Sequence, residues 1–138
     1  LEHAGREMQV RADKSKQHRN DNLTLLCTSG QLRAVALELI PLILDSGADI
    51  YYSGDIDPDG MGIADRLWQK FGDRIHIWRM SPADYETSIS KESIGNNGLA
   101  KLGNVGNPLL QQTAERVKDK RIAAYQENLL EELLGDIR

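Results

Sequence analysis

The apolar positions along the chain fall into short runs that alternate with amphipathic stretches. Leu23–Cys27 is a continuous apolar run between turn signals, which predicts a strand buried on both faces, and Asp49–Ser53 and Arg74–Trp78 predict two further strands. Apolar residues recur at helical spacing over Leu32–Leu44 and again from Ile63 to Phe71. Strands that alternate with helices predict an α/β domain with a parallel sheet.

The pattern changes beyond the third predicted strand. Ser81–Asp84 has the residues of a helix start and predicts a helix to about Ser90. The stretch from Gly95 to Pro108 is rich in glycine and asparagine, which predicts a loop or a short helix between turns. Leu109–Lys118 and Ile122–Leu134 are predicted as helices.

The composition is that of a single globular domain spanning residues 1–138, with 40% hydrophobic and 28% charged residues. A net charge of −4 argues against a stand-alone nucleic-acid-binding protein but not against an enzyme that meets phosphate groups through a metal ion. Its one cysteine, Cys27, falls in a predicted buried strand, which favours a reducing cytoplasm. The pattern predicts no membrane-spanning segment and no signal peptide.

Three carboxylates follow the second predicted strand at alternate positions: Asp55, Asp57 and Asp59. Residues i and i+2 of an extended segment point to the same face, so Asp55 and Asp57 repel each other unless a proton or a divalent cation neutralises them. A helix start with Asp57 as N-cap and Pro58 at the first helical position is the alternative explanation. It leaves Asp55 unexplained, so the sequence predicts a metal site.

An EF-hand calcium loop is a second alternative, because Asp55, Asp57, Asp59 and Gly60 fit its first positions. Arg66 stands where that loop needs a bidentate glutamate, and a strand leads in where it needs a helix. The sequence therefore favours Mg²⁺ or Mn²⁺, which a few carboxylates with water and phosphate oxygens can satisfy.

A second strand-to-helix junction offers Thr28, Ser29, Gly30 and Gln31. Their amides at a helix N-terminus could hold a phosphate, although N-capping by Thr28 or Ser29 explains the same residues equally well. Both junctions follow the carboxyl ends of predicted strands, where open α/β sheets place their sites.

These motifs resemble the Toprim family, the metal-binding domain of topoisomerases, primases and related nucleases. Gly54–Ala64 matches the form Gly-Asp-x-Asp-Pro-x-Gly-x-x-Ile-Ala of the topoisomerase VI A-subunit branch throughout. Cys27–Gln31 and Trp78–Met80, the latter before a helix bearing Tyr85, are similar to motifs of a narrower group. That group is the C-terminal Toprim-like domain of bacterial proteins encoded beside condensin-like ATPases, such as the nuclease subunit of Wadjet plasmid-defence systems.

The resemblance covers nearly the whole chain and implies a Toprim-like, Rossmann-like three-layer α/β domain with a mainly parallel sheet and extra C-terminal helices. It implies that the chain is a C-terminal fragment of a longer protein. Asp55 and Asp57 would bind Mg²⁺, with Asp59 as a third, water-mediated ligand. Glu2 would be the family's catalytic glutamate, although His3 stands where the family usually has asparagine.

The implied function is Mg²⁺-dependent phosphoryl transfer on DNA, in defence against plasmid or foreign DNA. Water is the expected nucleophile, because no motif marks any of the four tyrosines as one. The implied partners are DNA, reached through the full-length protein, a condensin-like ATPase complex and a second copy of the chain. A non-catalytic Toprim-like binding or scaffold module stays open, as does a haloacid-dehalogenase-type phosphatase, whose site also begins Asp-x-Asp.

Overall fold

The computed structural model of the protein describes residues 34–137, with side chains from residue 38 onward. Three predicted features lie outside the described residues: Glu2, the strand Leu23–Cys27 and the candidate phosphate-binding residues Thr28–Gln31.

The described residues form six α-helices and four strands, which makes this part of the chain a mixed α/β domain. None of the described helices has both the length and the apolar character that crossing a membrane requires. In chain order the elements are α1 (Ala34–Asp45), β1 (Ile50–Tyr52), α2 (Pro58–Phe71), β2 (Ile75–Ile77), α3 (Pro82–Ser88), β3 (Ile89–Ser93), α4 (Asn96–Leu102), α5 (Pro108–Lys120), β4 (Ile122–Ala124) and α6 (Leu130–Ile137).

The strands β1 and β2 pair in parallel, with Ile50 opposite Ile75 and Tyr52 opposite Ile77, and α2 connects them. The strand–helix–strand order predicted for this part of the sequence is therefore confirmed, as is the parallel pairing. Among the described residues this is one of two sheets, and the other is an antiparallel pair. The predicted predominance of parallel pairing is thus not seen in the described part.

The helix α2 begins at the helix start that the sequence offers after β1. Asp57 accepts the first-turn N–H of Gly60, Pro58 occupies the first helical turn, and Gly72 ends the helix with a φ of 80° that suits glycine. The buried positions of α2 repeat every three or four residues, and they pack into the same core as the first sheet: Met61, Ala64 and Leu67.

The second sheet corrects one prediction. Residues 122–134 were expected to be helical, but Ile122–Ala124 is the strand β4, which pairs antiparallel with β3, and only the later residues are helical. Arg121 adopts a left-handed conformation with a φ of 57°, which ends α5 and redirects the chain. Pairing with β3 then outweighs the helical propensity of the two alanines, an instance of tertiary contact overriding local preference.

A main-chain bridge joins the two described sheets. Ile56 and Ala124 exchange both of their main-chain hydrogen bonds, at 2.8 and 3.0 Å, and form an antiparallel bridge. The bridge fixes the acidic segment that follows β1 against β4.

The C-terminal helix α6 is attached to the residues after β2. Asp136 accepts hydrogen bonds from the Trp78 indole at 2.7 Å and from two nitrogens of Arg79 at 2.7 and 2.8 Å. Arg79 has a φ of 56°, which is unusual for a residue with a side chain, and Met80 beside it is fully buried. Trp78 and Arg79 of the Trp-Arg-Met motif therefore anchor the C-terminal helix.

Gly60 generates a stability prediction. A Cβ at Gly60 would collide with the main chain of Asp55, which cannot move aside as a flexible side chain can. We expect Gly60→Ala to lower the free energy of unfolding by about 3 kcal/mol in urea titrations. The control is Gly62→Ala in the same helix, where the added Cβ would meet only the Arg66 guanidinium, at 3.2 Å, and alanine favours the helix by about 1 kcal/mol. Equal losses in the two variants would contradict this account.

Candidate metal centre

The acidic segment leaves the carboxyl end of β1 and leads into α2, which is the position that the sequence predicts for a site. Asp55 is 5% exposed, Asp57 is half-buried, and Asp59 is exposed on the first turn of α2. The bridging residue Ile56 lies between the first two carboxylates. The three carboxylates therefore have three different environments.

Asp55 is the buried member of the set. Its carboxylate accepts the main-chain N–H of Gln126 at 2.9 Å, just beyond the bridge between Ile56 and Ala124. A carboxylate held by a main-chain donor has a fixed orientation, because the donor cannot rotate away. Asp55 is thus presented rigidly at the junction of the two sheets.

Asp57 acts as the predicted N-cap. Its Oδ1 accepts the N–H of Gly60 at 2.7 Å, while Asp59 lies in the first turn, where the helix dipole favours a negative charge. The helix start therefore accounts for Asp57 and Asp59. It does not account for the buried carboxylate of Asp55.

Within the described part of the chain, two buried residues that adjoin Asp55 have polar side-chain atoms with no hydrogen-bond partner. Ser53 is fully buried and its Oγ has no partner, and Gln126 is 1% exposed with neither its amide oxygen nor its amide nitrogen bonded. Ser53 lies two residues before Asp55, and the main chain of Gln126 bonds the Asp55 carboxylate. Buried polar atoms without partners are rare, so two such residues adjoining Asp55, one in the chain and one by its main-chain hydrogen bond, favour a bound ion or water in this region.

The phenol of Tyr52 reports the electrostatic character of this region. Its pKa is raised above the ordinary tyrosine value, first by burial and then by the negative charges of Asp55 and Asp57, while Arg66 lowers it. Negative charge raises a phenol pKa because it disfavours the phenolate. Asp55 and Asp57 therefore both add negative potential at the end of β1, and Arg66 opposes it.

The described donors fit a hard divalent cation. Mg²⁺ prefers oxygen ligands and is often held by one or two carboxylates with several waters, and Asp55, Asp57, Ser53 and Gln126 supply oxygens. Between residues 38 and 137, however, no group of three or more His, Cys, Asp or Glu side chains comes together, so Asp59 does not complete such a set. Glu2, which the resemblance assigns to the site, lies outside the described residues.

Sequence reasoning identified the carboxylates and missed Ser53 and Gln126. Gln126 is 71 positions from Asp55 and was predicted to lie within a helix. No local pattern marks it, because its proximity to Asp55 arises from the pairing of β4 with Ile56.

A cleft of about 570 Å³ opens beside the first turns of α2. One wall carries Asp59, Gly62 and Arg66, and the other carries Lys101 and Asn104 from the end of α4 and the turn after it. The cleft therefore begins next to the acidic segment and contains two cationic side chains.

Asp65 holds the two walls of this cleft together. Its buried carboxylate accepts the main-chain N–H groups of Gly106 at 3.1 Å and of Asn107 at 2.8 Å. Asn107 is in turn the N-cap of α5. Asp65 is thus bound to the turn before α5 and fixes that turn against α2.

Comparison with known proteins gives one match. The sequence profile of a family described as "Protein of unknown function C-terminus (DUF2399)" matches residues 5–137. No curated protein matches the chain, and no solved structure matches it.

Replacing the amide of Gln126 by an apolar side chain should change the metal-free melting temperature and the Mn²⁺-induced thermal shift in opposite directions. Gln126→Met keeps the main-chain bond to Asp55 and removes a buried amide whose lack of partners costs about 1–3 kcal/mol, so the metal-free protein should melt at a higher temperature. The thermal shift caused by millimolar Mn²⁺ should shrink, because an oxygen donor is lost. Differential scanning fluorimetry measures both effects.

The matched control is Gln112→Met on the exposed face of α5, which should change neither quantity. A Gln126→Met protein with a lower metal-free melting temperature and an unchanged Mn²⁺ shift would show that the amide serves only the fold.

Proposed function

The chain belongs to the DUF2399 family, and we propose that it is the Toprim-like, metal-binding domain of a DNA-cleaving enzyme. The reaction is Mg²⁺-dependent phosphoryl transfer on DNA. The observation that carries the proposal is the buried carboxylate of Asp55 at the carboxyl end of a parallel strand, beside the unpartnered polar atoms of Ser53 and Gln126.

The charge distribution supports a cation at this position. Asp55 and Asp57 lie on either side of Ile56, and both raise the pKa of the Tyr52 phenol, after the larger effect of burial. Carboxylate, hydroxyl and amide oxygens are ligands of the kind that Mg²⁺ and Mn²⁺ take. A cation held there would remove the repulsion between the two aspartates.

The residues of the chain have separate roles in this proposal. Mg²⁺ bound here would supply positive charge to polarise a phosphodiester and stabilise the leaving oxygen. Asp55, whose carboxylate accepts the N–H of Gln126, and Asp57, which caps α2, would hold the ion. Glu2, by the resemblance, acts as general base or as a further ligand.

The tyrosines support water as the nucleophile. Tyr85 is fully buried and its hydroxyl donates to the Ile122 carbonyl at 2.7 Å, and Tyr52 is 2% exposed with a raised phenol pKa caused chiefly by burial. Tyr51 stacks on His76 with ring centroids 4.5 Å apart. None of these three phenols is an exposed, activated nucleophile, so hydrolysis fits this domain better than transesterification.

Because the chain has a net charge of −4, which repels DNA phosphates, surfaces outside this chain would supply part of the DNA affinity. We propose that the full-length protein supplies them, with a condensin-like ATPase complex as its partner and defence against foreign DNA as its role. These partners rest on the resemblance described above.

A non-catalytic binding or scaffold module is the second candidate. One observation favours it: the described residues bring together no group of three or more metal-binding side chains of the His, Cys, Asp and Glu types. A module that lost its glutamate would retain the aspartate loop as a helix start and bind no metal.

Metal binding separates the two candidates. Mn²⁺ should stabilise the chain by about 1.4 kcal/mol at ten times its dissociation constant, seen as a rise in melting temperature. Asp55→Asn with Asp57→Asn should abolish that rise, while the fold survives because asparagine also caps a helix and also accepts an N–H. The control Asp59→Asn should retain most of it. A shift that persists in the double variant would place the ion elsewhere.

Cleavage tests the proposed reaction in the full-length protein. Asp57→Asn should lower the rate of DNA cleavage by about a thousandfold or more and leave DNA affinity nearly unchanged, because the metal ligands stabilise the transition state and basic residues elsewhere provide affinity. Gel assays of cleavage and fluorescence anisotropy of binding measure the two effects. Cleavage that continues in the variant would locate the active site outside this chain and make the domain a scaffold.

A further inference from the structure

We propose that the cleft between α2 and the turn that follows α4 binds backbone phosphates of a DNA strand, with Arg66 and Lys101 as its two cationic contacts. The inference rests on the proposed function and adds to it the path of the strand next to the metal centre. Its structural basis is the cleft of about 570 Å³ that both side chains line.

The two cationic side chains have no carboxylate partner in the described part of the chain. Arg74, Arg79 and Arg116 each form an ion pair with an aspartate or glutamate. Arg66 and Lys101 form neither an ion pair nor a side-chain hydrogen bond with residues 38–137, and both are exposed. Their charges are therefore available to an anionic ligand.

The acidic residues of the cleft do not neutralise them. The carboxylate of Asp65 is buried and is occupied by the N–H groups of Gly106 and Asn107. Asp59 lies on the first turn of α2, beside the metal centre. The cleft is thus divided between an acidic end at the candidate metal site and a cationic part further along α2.

The position of the Arg66 side chain links these two parts. A Cβ at Gly62 would lie 3.2 Å from the Arg66 guanidinium, which shows that this side chain turns back along α2 toward the first turn of the helix. Gly62 leaves the space beside the guanidinium free of a side chain.

The spacing matches a nucleic-acid strand rather than a single phosphate. The Arg66 guanidinium lies beside Gly62, and Gly62 is five residues from Asp57, which is about 7.5 Å along the axis of α2. A DNA strand carries one phosphate for about every 3.4 Å of duplex axis. A phosphate bound by Arg66 would therefore belong to the same strand as the phosphodiester that is cleaved at the metal centre. The two phosphates would be a few nucleotides apart.

The test is the salt dependence of DNA binding by the chain in the presence of EDTA. A fluorescein-labelled 12-nucleotide single strand is titrated at several salt concentrations, and anisotropy gives the affinity. Arg66→Ala and Lys101→Ala should each weaken binding about threefold to tenfold and lower the slope of log affinity against log salt by about 0.7, and the double variant should lower it by about 1.4.

Two controls match the size and the charge of these changes. Lys91→Ala removes an exposed positive charge outside the cleft and should leave the salt slope unchanged. Arg66→Lys keeps the positive charge in the cleft and should also leave the salt slope unchanged. A loss in Lys91→Ala as large as in Lys101→Ala would overturn the proposal in favour of a general effect of net charge. No measurable binding by the unchanged chain would overturn it too.

A competition experiment identifies the source of the phosphate. Inorganic phosphate, at a concentration equal to that of the phosphate groups in the labelled strand, should displace little of that strand. Full displacement would assign the cleft to a free phosphate and overturn the proposal that it binds a DNA strand. Because EDTA removes the metal, this result does not depend on the Mn²⁺ experiment. If the cleft variants lower the salt slope but Mn²⁺ causes no thermal shift, the strand-binding cleft is supported and the metal-dependent nuclease is not. If Mn²⁺ causes the shift but the cleft variants leave the slope unchanged, the nuclease is supported and the cleft is not.

Discussion

The exchange of main-chain hydrogen bonds between Ile56 and Ala124 is the contact on which the candidate site depends. It joins the parallel sheet to the antiparallel one and brings the N–H of Gln126 to the Asp55 carboxylate. Each such bond contributes only about 1 kcal/mol net, but opening the bridge would remove the Gln126 donor from the buried Asp55 carboxylate and separate the main-chain groups of Ile56 and Ala124. The acidic segment is therefore part of a sheet junction rather than a flexible loop.

At that junction, the N-terminus of α2 and a bound cation would compete for the same carboxylate charges. The N-terminus of α2 presents N–H groups and the positive end of the helix dipole to Asp57 and Asp59, which partly compensates their charge. The carboxylates of Asp55 and Asp57 both raise the pKa of the buried Tyr52 phenol, after the larger effect of burial. Under the proposed function, a cation at this position would compete with the helix for Asp57. Weak binding that strengthens when substrate phosphates add further oxygens follows from that competition.

Local features of the fold were predictable because the residues that cause them are adjacent in the sequence. The caps of α2, the Ser81–Asp84 capping box that starts α3, and the parallel pairing of β1 with β2 were predicted correctly. The strand β4 was predicted wrongly because its alanines favour a helix until β3 provides partners. Gln126 reaches the site only through that long-range pairing, so no pattern around residue 126 could have identified it.

The unpartnered polar atoms around Asp55 also connect the site to the stability of the fold. A sequence selected only for stability would fill the positions of Ser53 and Gln126 with apolar side chains, since buried polar atoms without partners lower the free energy of unfolding. Their presence is understandable where a ligand completes their hydrogen bonds or coordination. In that case the ligand offsets the destabilisation, and occupancy of the site and stability of the domain rise together by mass action. The same physical arrangement would then make the fold around the junction of the two sheets most rigid when the metal centre is filled.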